Sequence, residues 1–248
     1  DLQLNLAQPP DANGAPYPAI VIIHGGAWRA GHRRMHDDLA RELAARGYVA
    51  ATISYRFCPE HIFPAHVEDA KCAVRYLRAH ADEYHIDTKR VGAVGASAGG
   101  HLAMMLGVMD ADDGLEGKGG WSEENSQVQA VVSFFGPTEL SADDIPTISI
   151  PLLFDFMGGT KIKLPDKYRQ GSPITYVTKG DAPMLLLQGT KDPLVPHTQA
   201  FKMIDALTKA GVAGRAEILI GAGHGCGGAK LERSVKQTYE FLDEHLKP

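Results

Sequence analysis

Residues 95–99 read GASAG, which sets the hydroxyl of Ser97 midway between two glycines, after the apolar run Val91–Val94 and before HLAMML. A serine on such a strand-to-helix turn takes a strained backbone conformation. Side chains two residues to either side would collide with the strand or the helix, and Gly95 and Gly99 remove them. A serine hydroxyl attacks a carbonyl only when a base takes its proton, and a histidine base needs an acid to fix its tautomer. Both follow downstream. Asp192 lies in GTKDPLVP at 189–196 and His224 in GAGHGCGG at 221–228, each on a loop after a strand-like run. Ser97, Asp192 and His224, in that order, are therefore candidate catalytic residues. Asp181 is the other acid to weigh, but it precedes its strand and falls at the wrong sheet edge.

Acyl transfer also needs donors aimed at the oxyanion of the tetrahedral intermediate. The stretch IIHGGAW at 22–28 is a second strand running into glycines. Its Gly26 and Ala27 N–H groups, with that of Ala98 after the serine, are the candidate oxyanion hole. His24 is expected to brace this loop rather than carry protons. Trp28 either walls a pocket or plugs the core. Gly92, Gly95 and Gly99 lack both the G-x-G-x-x-G spacing and the GK[ST] ending of nucleotide-binding turns. His32 and His36, four residues apart, lack a further recognisable ligand, so no metal is expected. No cofactor is implied.

Apolar runs alternate with helix-period segments, the pattern of a mostly parallel sheet with helices on both faces, an α/β architecture. The expected strands are 2–7, 19–23, 48–54, 91–95, 128–134, 183–188 and 216–220; the expected helices are 36–46, 64–84, 98–108, 196–210 and 229–246. The Gly- and acid-rich stretch 110–127 reads as a surface loop. The Pro-rich segment 137–182 reads as a small lid-like insertion over the sheet's carboxyl edge. With no repeat or linker, residues 1–248 are expected to form one domain.

The net charge of −5 and the lack of a Lys/Arg stripe argue against a nucleic-acid partner. Apolar runs are strand-sized, which argues against a membrane span. Three cysteines, Cys58, Cys72 and Cys226, are too few for a disulfide framework or a zinc cage, and leave the compartment open. The chain begins at Asp1 without Met or a signal-like segment, so its natural start is expected upstream. The pattern selects no oligomeric state.

HGGAW at 24–28, SYRFCPEHIFPA at 54–65, GASAGG at 95–100, FFGPTEL at 134–140, SPITYV at 172–177, GTKDPLVP and GAGHG together resemble the serine esterases of the α/β-hydrolase fold. Within that fold they are similar to the hormone-sensitive-lipase-like group, and especially to small bacterial carboxylesterases of the acetyl- and feruloyl-esterase kind. The resemblance implies an α/β-hydrolase fold and a cofactor-independent serine carboxylesterase acting on small-molecule esters. Two departures bear on specificity. The group's HGGG is HGGA here, so the Ala27 methyl narrows the acyl side. Only about 18 residues precede the strand at 19–23, where the group builds much of its cap, so an open site favouring short acyl groups is expected. Arg56 and Asp69 are expected to brace the oxyanion loop from below, and Cys226 to fill space near the site. Activity should fall below roughly pH 6–7, where a histidine base takes up a proton. Arylformamidase or other amide hydrolysis on the same triad, and a noncatalytic small-molecule-binding homologue, are the alternatives.

Overall fold

The computed structural model describes residues 2–10 and 16–248. Its strands are β1 (Leu4–Ala7), β2 (Tyr17–Ile23), β3 (Val49–Ile53), β4 (Ile86–Ala96), β5 (Ala130–Phe134), β6 (Met184–Gly189) and β7 (Gly214–Leu219). Its helices are α1 (Asp37–Ala45), α2 (Ala65–Ala79), α3 (Ala81–Tyr84), α4 (Ala98–Val108), α5 (Ile150–Met157), α6 (Pro165–Gln170), α7 (Thr198–Ala210) and α8 (Ala229–Leu246). The strands form one sheet in the order β1-β3-β2-β4-β5-β6-β7. β1 runs antiparallel to β3, and every other pair is parallel.

The continuous apolar run of β2 follows from burial on both faces. Ala19, Val21 and Ile23 join the cluster under α2, α4 and α7, while Ile20 and Ile22 join the one under α1 and α8. Each fully buried aliphatic side chain stabilises the sheet by about 1.5–3 kcal/mol. α4 lacks an amphipathic stripe because all of its residues are buried. A charge at Met104 would therefore find no solvent-facing side to turn to.

The sequence-derived elements recur with shifted ends, and α5 and α6 are additional. They lie in the Pro-rich segment read as a lid-like insertion, and Pro151 and Pro165 occupy first-turn positions, where a missing N–H costs nothing. The helix expected over 64–84 breaks at His80 into α2 and α3. The 110–127 loop is mostly exposed but tethered: Glu116 accepts from Lys71 Nζ and Arg75 Nη1, both at 2.6 Å. Those two cations are almost wholly buried, and the Glu116 carboxylate offsets the cost of desolvating them.

Parallel strands align their carboxyl ends along one sheet edge, so the segments following β2, β4, β5, β6 and β7 converge there. They begin at His24, Ser97, Phe135, Thr190 and Ile220. Among the described residues no helix is long and apolar enough to cross a membrane.

Candidate active site

Ser97 sits between β4 and α4 with φ 56° and ψ −120°. A Cβ on Gly95 would lie 2.2 Å from the Gly99 carbonyl oxygen, and one on Gly99 would lie 2.0 Å from that of Ile23. Both are impossible contacts, so the tight turn that projects Ser97 from the sheet edge requires glycine on each side.

His224 Nε2 lies 2.8 Å from Ser97 Oγ, and His224 Nδ1 lies 2.8 Å from Asp192 Oδ2. Nδ1–H donates to the carboxylate, leaving Nε2 to accept from the serine hydroxyl. The Asp192 side chain is fully buried. Its Oδ1 accepts from the Leu194 and Val195 N–H groups, both at 2.9 Å, and its Oδ2 also accepts from Gln188 Nε2 at 3.0 Å. Burial alone would raise the Asp192 carboxyl, but the hydrogen bonds from His224, Val195 and Leu194 outweigh it and hold the group below the ordinary carboxylate range. Asp181 instead closes a turn with Thr178 ahead of β6.

On the other side of Ser97, Gly26 and Ala27 both have positive φ, 120° and 52°. Their N–H groups meet no acceptor among the described residues. The Ala98 N–H belongs to the first turn of α4, where an N–H has no intrahelical partner.

The loop at 24–29 is braced from several directions. His24 is buried, stacks on Tyr55 at 4.4 Å and places Nδ1 2.7 Å from the Gly25 carbonyl oxygen. Burial holds its imidazole below the usual range. Trp28 is 4% exposed, stacks on Phe156 of α5 at 4.1 Å and donates from Nε1 to His101 Nδ1 at 3.3 Å. It is a core plug whose edge also borders the pocket. Arg29 pairs with Asp155 at 3.3 Å, tying the loop to α5 again. Arg56 does pair with Asp69, but its side chain is 36% exposed, so the brace is buried only on the Asp69 side. The reason is a second carboxylate, Glu68, drawing the guanidinium outward.

Ser97, His224, Gly26, Ala27 and Trp28 border a cavity of about 390 Å³ whose walls are apolar, with Leu140, Ile145, Leu152 and Leu153 contributed by the 137–182 segment. Phe135 and Gln188 escaped the sequence reading as site residues. Phe135 packs its ring 4.7 Å from that of His224 and has φ 44°; its position directly after β5 was the available signal. Gln188 lies inside a strand and carried none. Cys226 is half-buried and lines a neighbouring cavity beside the site. All three cysteines are free.

The BD-FAE family profile matches residues 4–207. The chain is 31% identical over 220 residues to Esterase LipC of Mycobacterium tuberculosis, covering 85% of this chain and 53% of that protein. It spans about half the length of the curated relatives it matches. A truncated carbohydrate esterase from gut microbiota superposes with a TM-score of 0.86 at 30% identity, covering 98% of this chain and 90% of that one. Esterase 2 of Thermogutta terrifontis, solved after phosphonylation by sarin, superposes with a TM-score of 0.87 at 29% identity, covering 100% of this chain and 92% of that one. The chain therefore has the α/β-hydrolase fold and belongs to the BD-FAE family.

Proposed function

We propose that the protein is a serine carboxylesterase, a single domain over residues 1–248 that cleaves small-molecule esters with short acyl groups through an acyl-enzyme. The hydrogen-bond chain from Ser97 through His224 to Asp192 carries this reading. His224 Nε2 takes the hydroxyl proton as Oγ bonds to the ester carbon, and the carbonyl oxygen becomes an anion facing the Gly26, Ala27 and Ala98 N–H groups. Collapse breaks the bond to the alcohol oxygen, which leaves with the proton from His224. Water then gives a proton to the same nitrogen, attacks the acyl carbon, and releases the acid and Ser97. Asp192 holds the tautomer and stabilises the imidazolium.

Support for short acyl groups comes from the Ala27 methyl beside the oxyanion donors and the apolar 390 Å³ chamber. Residues 137–182 act as a lid over that chamber. Organophosphonylation of the related Thermogutta esterase supports a nucleophilic serine.

The test is a p-nitrophenyl ester series from acetate to decanoate, with Ser97→Ala as control and N-formylkynurenine as the amide competitor. Hydrolysis should peak at acetate to butyrate and vanish in Ser97→Ala. A higher kcat/KM on the formamide, or no phosphonate labelling of Ser97, would overturn the reading.

A further inference from the structure

A second cavity, of about 340 Å³, opens beside the first against the β2–β4–β5 edge, with walls from α1 and the start of α8. Met35, His36, Ala96 and Phe135 line both cavities. Ala96 directly precedes Ser97, and Phe135 packs on His224, so the two chambers adjoin at the reacting groups. Building on the carboxylesterase reading, we propose that the acyl group occupies the first chamber and the alcohol moiety the second, where His36 recognises a hydrogen-bonding substituent on an aryl alcohol.

The leaving oxygen must take its proton from His224, which sets the alcohol on the His224 side of the ester. Gly225 and Cys226, the next residues along the chain, wall the second chamber. Gly26, Ala27, Ser97 and His224 all border the first chamber and not the second, so the ester bond is broken in the first chamber and the alcohol reaches the second past Ala96 and Phe135, which line both. The second chamber's floor is apolar, with Ile22, Val94 and Phe134 from the sheet, Leu39 from α1 and Val235 from α8. That floor suits an aromatic ring.

The two carboxylates on its wall are already engaged: Asp38 pairs with Arg41, and Glu42 accepts from the Tyr239 hydroxyl. His36 is different. It is half-buried, and neither ring nitrogen makes a hydrogen bond among the described residues. Burial holds the imidazole below its usual range, so at neutral pH it offers one donor and one acceptor. A phenol-like substituent would use them, whereas a bare ring or a small alkyl alcohol would leave them unused.

The test keeps the acyl group as acetyl and compares ethyl, phenyl and 4-hydroxyphenyl acetate, each variant being referred to wild type so that intrinsic leaving-group reactivity cancels. Leu231, at the start of α8, lines the second chamber, so Leu231→Trp fills it and should lower the phenyl-to-ethyl ratio of kcat/KM about tenfold, a difference of about 1.4 kcal/mol. His36→Phe keeps a ring but removes the hydrogen bonds, and should lower the 4-hydroxyphenyl-to-phenyl ratio about fivefold. Cys226→Phe is a second filling variant, should the first fail to fold, and phosphonate titration of Ser97 counts folded active sites. Unchanged ratios in variants that titrate fully would overturn the two-chamber assignment. A wild-type protein inert on all three esters would instead sink the carboxylesterase reading beneath it.

Discussion

Gln188 Nε2 lies 3.0 Å from Asp192 Oδ2, the same oxygen that accepts from His224 Nδ1, and 2.7 Å from the Val195 carbonyl oxygen. One strand side chain thus fixes the acid and the loop that carries it. Gln188→Met, close to isosteric, would leave the buried Val195 carbonyl unpaired at a cost of about 1–3 kcal/mol. A lower melting temperature and a kcat reduced about tenfold with little change in KM are expected, the loss reflecting a less well-held acid. Unaltered kcat in the folded variant would show that Asp192 needs no such support.

Asp192→Asn preserves shape while removing the charge that stabilises the imidazolium. Hydrolysis of p-nitrophenyl acetate should fall by roughly 10³–10⁴, with phosphonate labelling of Ser97 slowed in parallel. A loss smaller than tenfold would mean that His224 is oriented by something other than this carboxylate.

Ala27 has φ 52°, a conformation that glycine adopts without strain. In Ala27→Gly, relief of that strain and the greater freedom of the unfolded chain oppose each other, so stability should change by no more than about 1 kcal/mol. The acyl profile is the informative readout. Hexanoate should gain relative to acetate as the methyl disappears, and an unchanged profile would remove Ala27 from the determinants of acyl length.

His101 is fully buried, with Nδ1 accepting from Trp28 and Nε2–H donating to the Gly171 carbonyl oxygen at 2.7 Å. Burial pushes its pKa down to about 4, and that of His66, also fully buried, down to about 3. Both stay neutral in the folded state where the unfolded chain takes up protons. Their contribution is fully present above about pH 6.5 and is lost as the pH falls toward the folded values, reaching about 2 kcal/mol per histidine by pH 5. Urea titrations at pH 7.5 and pH 5 should show this loss. His101→Gln, whose amide can serve both partners without titrating, should show a shallower pH dependence.

Gly99→Ala would drive a methyl into the Ile23 carbonyl oxygen. Backbone meets backbone there, so no rotamer relieves the contact, and the variant should be insoluble or destabilised by about 3 kcal/mol or more. A soluble, active Gly99→Ala protein would mean that the strand–turn–helix unit yields more than its packing implies.

The sequence by itself determined the strands, most of the helices and the three candidate catalytic side chains, because these are written locally. Apolar runs of strand length end in glycine-rich turns, and Ser97, Asp192 and His224 each fall just past such a run. Parallel pairing then obliges those turns to share an edge, whichever strands are neighbours. What lay beyond local pattern was α5 and α6, whose prolines look alike in a loop and in a first helical turn. Only the tertiary structure decided that Gln188 would meet Asp192, that Trp28 would lock onto both His101 and Phe156, and that His36 would border two cavities. Each of those contacts joins residues whose separation is set by strand order and helix packing, and burial rather than local propensity selects among the possible partners.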